Sequence, residues 1–135
     1  MAGTYAPIYP QTIKNTSGLI EAADTTTLQA LNWTAGANGS RIDQITVVST
    51  DTSAAVVQIY INNGTTDIMI GSFSVPALSG FDGTAPAVNL LEKIGSFDPD
   101  DPVLLLAATY TLKAGVTAAL TAGKQCTIYV IGADY

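Results

Sequence analysis

Val56-Val-Gln-Ile-Tyr-Ile61, Asn62-Asn-Gly64 and Ile68-Met-Ile-Gly-Ser-Phe-Ser-Val75 decide the fold class of this chain. Two runs rich in β-branched and aromatic residues flank an Asn-Gly pair, which supplies the left-handed backbone that a tight reversal needs. The segment therefore reads as a β-hairpin.

The same alternation extends in both directions. Arg41-Ile-Asp-Gln-Ile-Thr-Val-Val-Ser49 reads as a strand with Ile45 and Val47 on one side, entered from a two-glycine turn at Ala35-Gly-Ala-Asn-Gly-Ser40. Residues 25–34 read as a strand too, but Leu28 is out of phase with Leu31 and Trp33, which calls for a bulge or twist. Downstream, residues 76–86 hold Pro76, Gly80, Gly83 and Pro86 and read as a long exposed loop. Residues 87–94 fit a short helix through the spacing of Leu90, Leu91 and Ile94, and fit a strand nearly as well. Beyond the break at Asp98-Pro-Asp-Asp-Pro102, residues 103–112 read as a strand buried on both faces. Lys113-Ala-Gly115 then reads as a turn, residues 116–120 as a strand, Ala122-Gly-Lys124 as a turn and residues 125–131 as the last strand. About eight strands at roughly ten-residue spacing predict an all-β fold, a jelly-roll-like antiparallel β-sandwich.

The first 17 residues differ from the rest. Pro7 and Pro10 remove backbone donors and favour extended chain, Tyr5 and Tyr9 are aromatic, and no charge precedes Lys14. The expected organisation is an extended N-terminal arm over 1–17, able to reach about 50 Å, and a single β-sandwich domain over 18–135.

Composition narrows the function. Only 12% of residues are charged, five basic against eleven acidic for a net charge of −6, and there is no histidine. An ordinary soluble domain carries about 25% charged residues, so this surface is short of charge and suits permanent contact with other subunits. The absence of histidine excludes Ser-His-Asp and Cys-His catalysis and zinc ligation by imidazole. The cations at Lys14, Arg41, Lys93, Lys113 and Lys124 are scattered, which leaves no basic patch for nucleic acid. Apolar runs such as Val103-Leu-Leu-Leu-Ala-Ala108 fall short of the roughly 20 residues that span a bilayer. The N-terminal residues lack the pattern of a secretory signal, so synthesis in the cytoplasm is expected. Cys126 is the one cysteine, which precludes an intrachain disulfide. Alternation places it with Ile128 and Val130, and without a histidine to activate it the expectation is a buried structural thiol. Four Asn-x-Ser/Thr sequons, at Asn15, Asn32, Asn38 and Asn63, reflect a composition rich in Asn and Thr.

Little in the chain points to chemistry. Glu21, Asp43, Asp51 and Glu92 are the parts from which a carboxylate pair could be drawn, but no motif singles them out. Asp98, Asp100 and Asp101 are oxygen donors of the type hard cations prefer. With prolines on either side and no glycine for a tight calcium loop, they read as a solvated acidic turn. No glycine-rich phosphate cradle follows a strand. Trp33, Tyr60, Tyr110, Tyr129 and Tyr135 could offer stacking faces to a sugar, but aromatics in strands more commonly pack in cores and interfaces. The expectation is a protein that is not an enzyme, with no catalytic residue, cofactor or metal.

Four stretches carry a resemblance: Ala35-Gly-Ala-Asn-Gly-Ser-Arg-Ile-Asp-Gln-Ile-Thr-Val47, Val57-Gln-Ile-Tyr-Ile-Asn-Asn-Gly64, Leu112-Lys-Ala-Gly115 and Val130-Ile-Gly-Ala-Asp-Tyr135. In this order they resemble the small head decoration, or cement, proteins of tailed bacteriophages, with residues 90–109 longer than that pattern. The resemblance implies a jelly-roll subunit on the outer surface of the virion capsid, a homo-oligomer (dimer or trimer) that clamps neighbouring copies of the major capsid protein. The arm would then cross a lattice seam, with Tyr5, Ile8 and Tyr9 as its partner-binding side chains. Two other roles fit the same composition: a carbohydrate-binding, host-attachment module of a phage fibre, and a head-tail or tail component.

Overall fold

The computed structural model describes residues 9–94 and 100–135, and within them the chain is an antiparallel β-sandwich of two sheets. The strands are β1 (Thr12–Glu21), β2 (Gln29–Thr34), β3 (Ser40–Ser49), β4 (Ala55–Asn62), β5 (Asp67–Val75), β6 (Val88–Asn89), β7 (Leu104–Leu106), β8 (Thr111–Val116) and β9 (Gln125–Asp134). One sheet runs β1-β9-β3-β6, with β7 also on β3, and the other runs β2-β8-β4-β5.

The pairing is nested. β4 pairs with β5 at the hairpin; then β3 pairs with β6 and β7, β2 with β8 and β1 with β9. The chain is thus one long hairpin wound up so that β9 also pairs with β3 and β8 with β4. Inward positions from both sheets fill the core, with Ile20, Leu31, Trp33, Ile45, Val47, Val57, Ile59, Leu112, Ile128 and Val130 nearly or wholly inaccessible. Fully burying each such side chain contributes about 1.5–3 kcal/mol, which fixes strand register wherever one face is buried.

Local irregularities follow the residues. β2 carries a register shift between Ala30 and Thr34, with Asn32 in left-handed backbone at φ 59°. The phase difference between Leu28 and Leu31 has another origin: Leu28 precedes β2, while Leu31 and Trp33 alternate inward within it. The Asn32 side chain donates to the Ser17 carbonyl at 2.7 Å, bridging β2 to β1 across the two sheets. A second shift, between Ile42 and Gln44, lets Ile42 and Ile45 both face the core although they are three residues apart. The hairpin closes at the Asn62–Asp67 pair with residues 63–66 as its loop, a longer reversal than the two-residue type. The Asn63 carboxamide oxygen accepts from the N–H groups of Thr65 and Thr66, and Gly64 takes φ +102°.

Three sequence expectations are corrected in the last third of the chain. Residues 103–112 are not one doubly buried strand: β7 lies in one sheet and β8 in the other, and the chain crosses between them at residues 107–110, with Thr109 at φ 67°. Leu105 consequently faces outward. Lys113-Ala-Gly115 is no turn but the middle of β8. There Lys113 points out to an ion pair with Asp67 (3.0 Å), Ala114 points in, and Gly115 admits Leu28, whose Cδ2 would lie 2.8 Å from any added Cβ. Residues 116–120 leave the sheet after Val116, because the loop is held instead by Asp51.

Residues 87–94 divide between the two readings, with β6 followed by a 3₁₀ turn over Leu90–Lys93 whose Leu90 and Leu91 are buried. The loop over residues 76–86 is anchored rather than free: the Ser79 carbonyl accepts from Ser49 N–H (2.9 Å), and Leu78 N–H donates to the Asp51 carbonyl (2.8 Å). Ser79 is therefore buried.

Candidate interaction surface

Of the three arm residues singled out from sequence, Tyr5 and Ile8 lie outside the described residues, as does Asp98 of the acidic turn. Tyr9 is described and 66% exposed. The sheet begins earlier than the sequence suggests, since residues 12–17 form the first half of β1 and pair continuously with β9. Gln11 N–H already donates to the Asp134 carbonyl (2.8 Å), so the approach to β1 lies beside the last residues of the chain.

That corner is held by charge. Lys14 Nζ lies 3.3 Å from Asp134 Oδ2 and 4.9 Å from the centre of the Trp33 ring, and also donates to the Thr34 carbonyl. Asp134 accepts in addition from Ser40 Oγ and from Gly36 N–H (3.3 Å). Burial works against the Asp134 charge, but Ser40, Lys14 and Gly36 together outweigh it and hold the carboxyl below its usual range.

Outward from this corner runs the exposed face of the β1-β9-β3 sheet. The register sets which side chains share it: Ile13 opposite Ala133, Asn15 opposite Ile131, Ser17 opposite Tyr129 and Leu19 opposite Thr127, with Gln44, Thr46 and Val48 beyond them on β3. Leu105 of β7 stands opposite Arg41 at one end. An antiparallel sheet with one solvated face ordinarily alternates apolar-in and polar-out, yet here Ile13, Leu19, Leu105 and Tyr129 are among the large apolar side chains most open to solvent. Among the described residues the charges on this face are Arg41 and Asp43, paired with each other at 2.7 Å, and Glu21 at the far rim, with Asp101 near enough to Arg41 to act on its charge. Lys113 and Asp67 lie on the other sheet.

The remaining candidates are structural. Asp51 is buried, and its carboxylate accepts from Thr121 N–H (2.9 Å), Thr121 Oγ (2.7 Å) and Ser53 N–H (3.0 Å). Burial opposes the charge, but these bonds and one from the Thr52 backbone outweigh it and lower the carboxyl below its usual range. The shallow groove that Asp51 borders, between residues 51–56 and 117–121, therefore has no carboxylate free for acid-base work. A second groove, between residues 21–23 and 123–125, offers Glu21 and Lys124 and no nucleophile. Among the described residues no group of three or more His, Cys, Asp or Glu is placed to hold a metal ion, and no helix is long and apolar enough to cross a membrane. Cys126 is buried against the core, and that burial pushes its thiol above the ordinary value. The aromatics do not converge: Trp33 is buried, while Tyr60 and Tyr129 stand on the outer faces of different sheets.

No protein-family model matches the chain, and no curated protein matches it in sequence.

Sequence reasoning misses the outward apolar residues of the first sheet because it places Ile13 in the arm and Leu105 in a buried strand. The available signal is parity: once β1 is recognised, Ile13 and Leu19 fall on the odd positions opposite Ile20.

Proposed function

We propose that the protein is a structural virion subunit, a decoration or cement protein that binds the outside of a tailed-phage head and stabilises its lattice. The observation that carries this reading is the sheet face that, among the described residues, carries few charges, the Arg41–Asp43 pair with Asp101 near it and Glu21 at the rim, on a chain of net charge −6. Such a face is suited to protein rather than to nucleic acid or bulk water. The nested strand order supports the jelly-roll form of the sandwich, in which eight strands wind as one hairpin into two four-stranded sheets; β7 would be an addition to that set, within the stretch longer than the family pattern. The resemblance in the turn and strand signatures supports the phage-head setting.

Cementing needs no catalysis. A protein that binds the expanded lattice and not its precursor stabilises the expanded state by mass action, and many identical copies turn modest contacts into avidity. Tyr9 is exposed where the chain approaches β1 beside Asp134, and the N-terminal segment is suited to reach a major capsid subunit.

The test is addition of the purified chain to expanded heads lacking it, with bound copies counted by electron microscopy and shell melting followed by calorimetry. Full-length protein should decorate the outer surface and raise the melting temperature, and protein lacking residues 1–8 should bind at least about tenfold more weakly. Failure of the full-length chain to bind expanded heads overturns the reading.

A further inference from the structure

We infer that the outer face of the β1-β9-β3 sheet is the interface with a second copy of this chain, packed sheet to sheet about a two-fold axis. The inference goes beyond the capsid reading and stands whether or not a head is bound.

Charge selects the occupant. Two chains of net charge −6 repel each other, so close approach of copies favours a surface with few uncompensated carboxylates. Among the described residues this face carries few, because Asp43 is paired with Arg41, which Asp101 also approaches, and Glu21 sits at the rim. A two-fold contact also demands a patch that complements itself. Ser17, Asn15, Gln44 and Thr46 carry groups that both donate and accept, so each can pair with its own kind. An oppositely charged partner, by contrast, would find few uncompensated charges here to pair with.

Size fits as well. The β1–β9 ladder is ten residue pairs long, or about 34 Å, and three strands with β7 at one end make it about 14–19 Å wide. The flat footprint is then roughly 500–650 Å², and side-chain relief brings its accessible area near the ~800 Å² that each partner gives a standard interface. Ile13 (83% exposed) and Leu105 (64% exposed) mark opposite edges of the patch, in one row with Ala133 and Arg41, and Tyr129 stands further along β9.

The experiment is the mass of the full-length chain in solution, by sedimentation equilibrium at micromolar concentrations, for wild type, Ile13→Asp with Leu105→Asp, and Met69→Asp on the other sheet as a control. Ile13, Leu105 and Met69 are all exposed, so circular dichroism and melting should report a folded protein in each case. The expected result is twice 13.9 kDa for wild type and for Met69→Asp, with at least a tenfold weaker dissociation constant for the double variant. A wild-type monomer, a trimer, or a double variant that associates as tightly as wild type overturns the inference. So does a wild-type monomer whose face becomes protected from hydrogen exchange only on heads, since the occupant would then be the capsid.

Discussion

Replacing Asp51 with asparagine should unpin one end of the sandwich. In the native protein Oδ2 accepts from Thr121 N–H, while Oδ1 accepts from Thr121 Oγ and Ser53 N–H. The carboxamide that replaces this carboxylate offers one oxygen, so whichever way it is turned an –NH₂ group faces a backbone N–H. Leaving one buried donor unsatisfied costs about 1–3 kcal/mol, and the surviving bonds drop from charge-assisted to neutral strength, a loss of about 1 kcal/mol more. The total is about 3 kcal/mol out of a stability of roughly 7–15 kcal/mol for a chain this long. At about 3–6 °C per kcal/mol for this size, the melting temperature at neutral pH should fall by roughly 10–15 °C in calorimetry. Acid provides the second arm of the assay. Because the folded Asp51 titrates below its usual value, its stabilisation is fully present above the unfolded pKa of about 3.9 and is lost as pH falls through the folded value. Wild type and Asp51→Asn should therefore converge as the pH drops below about 4. A neutral-pH melting temperature within a degree or two of wild type, or a gap that widens in acid, would refute the reasoning.

Gly132 lies on β9 where an added Cβ would come 2.2 Å from the Arg41 carbonyl oxygen and 3.0 Å from the Trp33 ring, so Gly132→Ala should force β3 and β9 apart. A loss of about 1–3 kcal/mol in urea unfolding, with a shift in Trp33 fluorescence, is expected, and unchanged unfolding would show that the strands yield freely. The Cys126 thiol, buried and held protonated by that burial, should react with a disulfide reagent at least about a thousandfold more slowly in native buffer than in denaturant. Labelling at the rate of a free thiol would place it elsewhere.

What is legible in the sequence is whatever alternation or turn chemistry writes locally. The β4–β5 hairpin and the turn at residues 122–124 follow from residues within a few positions of one another. The misreadings share a different cause, which is that a pattern of period two does not name the sheet a strand joins. Val103 to Leu112 looks like one apolar run, yet Leu106 and Leu112 serve opposite sheets, and only the tertiary crossing makes Leu105 an outward residue. Lys113-Ala-Gly115 has the composition of a turn, and it is the distant contacts of Lys113 with Asp67 and of Gly115 with Leu28 that make it a strand. The interaction surface is hidden for the same reason. Leu19 comes beside Tyr129, and Ile13 opposite Ala133, only when the first strand pairs with the last.

The winding of the hairpin also explains why the exposed apolar residues of this face and the start of β1 lie together. Pairing the chain's first and last strands brings Gln11 and Lys14 to Asp134, so the approach to β1 lies at the end of β9, at the rim of that face. The Lys14–Asp134 pair faces inward and is partly buried, whereas Ile13, one residue before Lys14, faces out and is open to solvent. A single step of strand alternation thus separates the charges that fix the start of β1 from the apolar residues open to contact. A subunit built in this way can hold a copy of itself through the sheet face and reach a different neighbour from its edge, and the two contacts need share no side chain.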